Sequence, residues 1–529
     1  MTITDRLPFV GGEPTALDPF LDRAARWATS LRYRDIPKPV RRAAKAQLTS
    51  TVGAGVWTTT HPLGDRIADA TESRYPSGEA TFLGGSDRTP EGAAVGNAAL
   101  SMALDFDGTV LGGHTGHSSV FVPLAYAEAT NASGKRALVA HVAANEIAAR
   151  LASAAAIGPF RGQQTAYIHS VGAAVGRAVI EDDDAETLAN ALGTALLQPP
   201  WPLEPPFLGA NAKVWSASEP VRSGIAAVDA ARAGLGGRPD LVEADGGFLG
   251  EFADLPLPEF LEGFGERWHT RAVTIKAVPG CAYVTAPVEA ALDVRGRFDP
   301  GRTEIQRVDV YGSLFATEVD DLAAPYLDGP ESPMSALSFT IPYNVAAALV
   351  DGEHTPRQVG KRTADEGLWT LAERVFVHHD ASFTMAALES EVPVGAMLRR
   401  VGVPVIGYAA KTVGVRATVR HLPTLARFAR KRPLPTDLST ADKRMGARVE
   451  VTTTDGRTLS ATVGHPSGFA GKPLAEIRAV ARRKCLEGLQ ETGLRESVAR
   501  GRVEGLLGID DADTVSLASL MDAESGAVQ

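Results

Sequence analysis

Between Leu104 and Ser119 the sequence reads LDFDGTVLGGHTGHSS. Two carboxylates, Asp105 and Asp107, stand close in sequence to two imidazoles, His114 and His117. Gly112, Gly113 and Gly116 let the intervening backbone turn sharply or approach a ligand. Ser118 and Ser119 open an apolar run, so the imidazoles are predicted to lie near a helix N-terminus. The free N–H groups and dipole of such an end attract anions, and a histidine there exchanges protons near neutral pH. Two other readings fit the same residues. The histidines and aspartates have the composition of a metal site, or the aspartates cap helices and the histidines are merely polar.

Three further residues invite chemistry. His169 lies at the mouth of an apolar, glycine-spaced helix in GQQTAYIHSVGAAVG; on its own it reads as a core histidine. Lys213, in GANAKVWSASEP, reads as a surface lysine. Lys276 lies in a strand with apolar neighbours, TIKAVPGCAY. A lysine shielded from water is costly unless paired, and a substrate carboxylate is one such partner. No phosphate loop, no GxGxxG at a strand-to-helix junction and no GxSxG is present.

The elements that must hold these residues change character along the chain. From about Phe20 to Gly265, Ala-rich amphipathic stretches broken by Gly and Pro read as helices. The clearest is GKRALVAHVAANEIAARLASAA, from Gly134; its Glu146 and Arg150 stand at helical spacing and read as surface or interhelical bracing. Near His269 strands begin. RAVTIKAV is one, closed by Pro279-Gly280; RVDVYG is another; RVEVTTTDGRTLSATV is a hairpin turning at Asp455-Gly456. PVEAALDVRGRF reads as a helix, and PYNVAAALVDG as a buried helix stopped by Gly352. After Pro473 the chain turns helical again, and beyond about Asp510 a small, polar tail is expected to fray. No internal repeat of fixed period appears.

Bulk properties narrow the function classes. The 529 residues are 44% hydrophobic and 22% charged, an ordinary globular balance, and at about 150 residues per domain they allow roughly two to four domains. A formal charge of −10 with scattered basic residues argues against nucleic-acid binding. Two cysteines, Cys281 and Cys485, make no disulfide framework, which suits a reducing cytoplasm. They also fall short of the roughly three or four thiolates an iron–sulfur cluster takes. The opening MTITDRLPFV has no signal-peptide pattern, and no apolar run reaches the roughly 18 residues of a membrane span.

Taken together, ALDFDGT, the His/Gly loop and the apolar helix after it resemble the signature of the MmgE/PrpD family. EATFLGG, the GKRALVAHVAANEIAARL helix, AKVWSASEPVRSG, IKAVPGC, SFTIPYNVAAALVDG and GHPSGFAGKPL follow in the family's order, over about residues 20–375 and 447–500. The resemblance implies a mainly α fold: a large helical domain built from both chain ends, 1–268 and 470–529, and a smaller α+β lid domain, 269–469. Residues 381–443 read as an insertion in that lid, ending in the basic LARFARKRPLP. The resemblance also implies a cofactor-independent lyase acting on a small di- or tricarboxylic acid, with dehydration of a methylcitrate-like acid as the leading expectation and decarboxylation or epimerisation as alternatives. It assigns catalytic roles to His117 (with His114 as the register alternative), His169, Lys276 and Tyr343. Asp105, Thr109, Lys213 and Cys281 become substrate-binding residues. No metal and no cofactor is expected, and the assembly is expected to be a cytoplasmic homodimer without nucleic-acid or membrane partners. One departure stands out. The last Asp of the family's DFDDT is Gly108 here, which leaves room for a non-catalytic binding protein. A metal-dependent hydrolase at the HTGH loop is the remaining alternative.

Overall fold

A computed structural model describes residues 18–159, 161, 165–299, 304–391, 395–412, 414–420, 422–430 and 432–518. The opening MTITDRLPFV and the tail past residue 518 lie outside the described residues. The fold is mainly α, as the sequence predicts. Long helices at Lys38–Thr59, Pro90–Met102, Gly116–Ala129, Gly134–Ala154, Tyr167–Ile180 and Trp215–Arg232 enclose one apolar core. Tyr167–Ile180 is buried along its whole length, His169, Ser170 and Arg177 included, which makes this helix a central element. The helix Leu474–Glu491 joins the same core through Cys485 and Leu489. It lies directly on Lys38–Thr59: a Cβ added at Gly53 would stand 2.8 Å from the Cys485 Cα, and Trp57 Nε1 donates to the Lys484 carbonyl over 3.0 Å.

A second core gathers around a four-stranded sheet, ordered Val375–His379, Ile305–Gly312, Ala447–Thr453, Thr458–Val463. The first pair is parallel and the others antiparallel. Alternation in VDVYG and RVEVTT buries Val308, Val310, Val449 and Val451 on one face. The helices Thr285–Arg295 and Ile341–Asp351 contribute to that core, and the latter ends at Gly352 in the left-handed conformation, φ 73°. The hairpin turns at Asp455-Gly456, as read from the sequence.

A short antiparallel ladder positions the Asp105–Thr109 segment. Gly108–Val110 pairs with Val273–Ile275, setting Thr109 opposite Thr274. The strand expected over RAVTIKAV is therefore only three residues long, and Lys276 comes after it rather than lying within it. Ile275 N donates instead to the Gly468 carbonyl, 2.8 Å away. No described helix is long and apolar enough to cross a membrane.

Two sequence expectations need correction. Glu146 and Arg150 do not lie on a solvated face, because both are fully buried. Glu146 accepts from the backbone of His269 and Thr270, and Arg150 donates to the Arg267 carbonyl at 2.7 Å, so the pair clamps the chain just before the ladder. The chain beyond Asp510 is docked as far as residue 518. Asp510 accepts from Tyr33 and Lys45 at 2.6 Å each, and Val515 N donates to the Ala132 carbonyl at 3.1 Å.

Residues 381–443 contain short helices at Ala381–Glu389, Gly395–Val401, Pro404–Thr412, Val415–Arg420 and Leu422–Phe428. Met397 reaches into the first core and comes within 3.8 Å of a Cβ placed on Gly112.

Candidate active site

The loop between Pro90–Met102 and Gly116–Ala129 carries the site, and its backbone is strained. Asp105 and Leu111 have positive φ, 47° and 50°, a conformation disfavoured for residues with a Cβ. The surroundings of Gly108 explain the missing last aspartate of the family pattern. A Cβ there would stand 2.4 Å from the Thr274 carbonyl oxygen across the ladder, so this backbone admits no side chain at that position.

Asp105 is nearly buried and holds two lysines. Lys276 Nζ donates to its Oδ1 at 2.6 Å and to its carbonyl at 2.7 Å, and Lys213 Nζ donates to its Oδ2 at 3.0 Å. Burial alone would raise the Asp105 carboxyl; the two ammoniums outweigh it and carry it well below the usual range. The same pairing lifts the buried Lys276 above an ordinary lysine. Lys213 is thus buried rather than on the surface, its ammonium 4.4 Å from the Phe339 ring centre.

Asp107 faces the histidines. Its Oδ2 is hydrogen bonded to His114 Nδ1 at 2.7 Å, and Lys276 Nζ stands 3.5 Å from Oδ1. His117 Nε2 lies 3.2 Å from the same Oδ2 yet makes no hydrogen bond; its Nδ1 is hydrogen bonded to Ser101 Oγ at 2.7 Å. Asp105 therefore binds two lysines and Asp107 an imidazole and a lysine, and neither caps a helix. His117 occupies the first turn of Gly116–Ala129, as predicted, with His114 just before it.

His169 comes from the first turn of Tyr167–Ile180. Its ring packs edge-on to that of His117, centroids 5.2 Å apart, and Ser118 Oγ lies 3.2 Å from its Nδ1. Its Nε2 is buried and has no hydrogen-bond partner among the described residues. Burial and the neighbouring imidazoles hold His169 well below an ordinary histidine, so it is neutral at pH 7. His114 is lowered too, chiefly by burial and against the pull of Asp107. His117, His169, Asp107 and Lys276 expose essentially no surface; His114 alone among the loop's imidazoles and carboxylates retains appreciable access, with 17% of its side chain exposed.

Two of these neighbours escaped sequence reasoning. Lys484, on Leu474–Glu491, donates to the Phe106 carbonyl at 2.5 Å and to Ser50 Oγ at 2.9 Å. It occupies the buried stripe of its helix with Ile477, Val480 and Ala481, a misplaced charge that the helical period could have flagged. Lys443, between Asp442 and Arg444, donates to Thr109 Oγ1 at 3.1 Å; nothing in ADKRMG marks it as buried. Cys281 is half-buried, and its thiol is pushed up by burial first and by Asp105 next.

Tyr343 is the predicted site residue that the structure does not bring in. Its hydroxyl donates to the Gln358 carbonyl at 2.7 Å and its ring packs 4.6 Å from Trp369. The charges that act on it are Arg362, Asp351 and Asp365, none of them in the cluster around Asp105. The SFTIPYNV motif fixes its place on a helix but not the direction in which that helix presents it.

Asp107, His114 and His117 each offer a ligand atom within 4.8 Å of the others, the one such metal-capable group among the described residues. Its donor chemistry is mixed. Two imidazoles and a carboxylate suit a transition metal, but the Lys276 ammonium lies against the other oxygen of that carboxylate, which opposes a divalent cation.

Residues 22–260 match the family model of the MmgE/PrpD N-terminal domain, and residues 278–402 that of the MmgE/PrpD C-terminal domain. The chain is also similar to a cis-aconitate decarboxylase of Aspergillus terreus, 24% identical over 377 residues that cover 66% of this chain and 76% of that protein.

Proposed function

The chain belongs to the MmgE/PrpD family, and on that premise we propose that it is a cofactor-independent lyase acting on a small di- or tricarboxylic acid at the carbon next to a carboxylate. The observation that carries this reading is the pair of buried imidazoles, His117 and His169, with ring centroids 5.2 Å apart and each with an Nε2 that makes no hydrogen bond among the described residues. Neutral His169 takes the proton from the activated carbon. The electron pair moves toward the adjacent carboxylate, where the buried ammoniums disperse the growing charge. His114, oriented by Asp107, or His117, oriented by Ser101, delivers a proton to the departing hydroxyl. Asp105 holds Lys213 and Lys276 in place; as the cluster stands they are committed to that carboxylate rather than free for substrate.

Dehydration is the leading assignment, because it uses both a base and an acid. Decarboxylation is the second reading, favoured by the similarity to a cis-aconitate decarboxylase. There carbon dioxide leaves with the bond to carbon, its electron pair stays on the substrate, and a histidine protonates that carbon. Both histidines are present, which favours an enzyme over a non-catalytic binding protein despite Gly108. We further propose that the two cores correspond to the helical domain, 1–268 with 470–529, and the lid domain, 269–469, and that the protein is a cytoplasmic homodimer.

The test is a panel of di- and tricarboxylates followed by NMR in D2O, which reports proton exchange at carbon even without net turnover. Exchange that survives exhaustive chelation supports the reading. Failure of every acid to exchange or react refutes it, and chelator-sensitive exchange moves the chemistry to a metal on Asp107, His114 and His117.

A further inference from the structure

The lysines around the site divide into those with an internal counterion and those without. Lys213 and Lys276 share Asp105. Lys484 lacks a carboxylate but is engaged by a carbonyl and a hydroxyl. Lys443 differs from all three. It is buried, exposing only 4% of its surface. An ammonium carries three donors, yet among the described residues its Nζ makes a single hydrogen bond, to Thr109 Oγ1 at 3.1 Å, and no ion pair.

The position is fixed, not accidental. Lys443 N donates to the Ala470 carbonyl at 3.0 Å, and Ala470 N in turn donates to Thr274 Oγ1 at 3.1 Å. Thr274 pairs with Thr109 in the ladder. The backbone of Lys443 is thereby tied to one strand while its ammonium meets the other. Its flanking residues are used elsewhere: Asp442 accepts from Glu391 N and pairs with Arg444. The charges that act on the ammonium are Lys276, Asp107, Asp105 and the Cys281 thiol, and burial together with Lys276 pushes it down to about 8. A buried cation with so little to meet it is costly to keep unless a ligand supplies the anion. Among the described residues the buried Lys213 and Lys276 both pair with Asp105, which leaves Lys443 without an ion pair.

We propose that Lys443, with the hydroxyl of Thr109, binds one carboxylate of the substrate. This rests on the reading of the protein as a polycarboxylate lyase and adds to it a substrate-binding residue from the segment that closes residues 381–443. It also divides labour among the lysines. Those on Asp105 shape the site, whereas the one without a counterion recognises the ligand.

The test is calorimetric binding of tricarballylate, a tricarboxylate without a hydroxyl to expel, to the full chain. Lys443→Met should retain the wild-type circular dichroism and bind about 10²-fold more weakly, the scale of a lost hydrogen bond to a charged group. Lys443→Arg, which keeps the charge, should bind within about 10-fold of wild type. Binding by Lys443→Met within about threefold of wild type overturns the proposal and leaves the lyase reading intact, whereas no binding by wild type itself counts against both. Should Lys443→Met fail to fold, proton uptake decides. At pH 8.5 wild type should take up a proton on binding tricarballylate, because the ligand recharges a partly neutral lysine, and Lys443→Arg should not; equal uptake by the two overturns the proposal.

Discussion

Replacing Lys276 with Met tests how the site is held together. The ammonium bridges Asp105 Oδ1 at 2.6 Å, the Asp105 carbonyl at 2.7 Å and Asp107 Oδ1 at 3.5 Å, and is essentially unexposed. Its removal leaves two buried carboxylates sharing less positive charge. Breaking a buried pair by removing one partner costs about 3–5 kcal/mol, and Lys276→Met should lose stability on that scale in urea unfolding at pH 7. The shifts also fix the sign with pH. Asp105 and Asp107 have depressed folded values, so their contribution is present above about pH 4, the ordinary carboxylate value, and is lost as pH falls further through the folded values. Lys276 has a raised folded value, so its contribution is complete below about pH 10.4 and is lost above the folded value. The gap between wild type and Lys276→Met should therefore be widest from about pH 5 to 9 and narrow towards pH 3. Adding Asp105→Asn removes the stranded charge, and the double variant should recover at least about 1 kcal/mol relative to the sum of the two single changes, within the usual coupling range for contacting residues. A loss below about 1 kcal/mol at pH 7, or strict additivity in the cycle, would refute the claim that Lys276 serves Asp105 and Asp107 and is not an independent substrate cation.

Three further outcomes are expected. His169→Gln should fold normally and lower turnover by about 10²–10⁴, the usual worth of a positioned acid–base group; full activity would return the residue to an ordinary core histidine. Because His169 is held well below the ordinary histidine value, kcat/KM should stay level as pH drops through 6.5 and fall only at clearly lower pH, so a limb centred at 6.5 or above would assign the base elsewhere. Gly108→Asp, which restores the residue the family pattern carries, should destabilise by about 1–3 kcal/mol through overpacking against the Thr274 carbonyl. A neutral or improved Tm would show that the ladder yields more readily than its spacing implies.

Much of this site was legible in the chain because its residues sit in motifs with a period or a boundary. The HTGHSS run announced a helix start, and the histidines lie there; His169 begins a helix whose apolar text is continuous. What failed was direction and burial. Tyr343 was placed correctly along its helix but faces Trp369. Glu146 and Arg150 have a spacing that looks the same on a wet face as in a core, and only the chain entering the ladder, 123 residues away, decides between them. Lys443 had no local signal at all, since its burial is created by Thr109, 334 residues earlier in the chain. The docked stretch from Asp510 was missed for the same reason: a small polar segment becomes ordered when remote partners such as Tyr33 and Lys45 donate to it.

The covering of the site has a kinetic consequence. Asp107, His117, His169 and Lys276 present essentially no surface to solvent, and Met397 packs near Gly112, in the loop that carries His114. A molecule in solution cannot meet these atoms by collision with this conformation; it must find another one. Its apparent affinity is then the intrinsic affinity multiplied by the fraction of time the protein spends open. At saturating ligand the rate of occupation reaches a ceiling set by the protein's own motion. On the proposed lyase reading, the closure that shields the site from water would also set the pace at which each turnover begins.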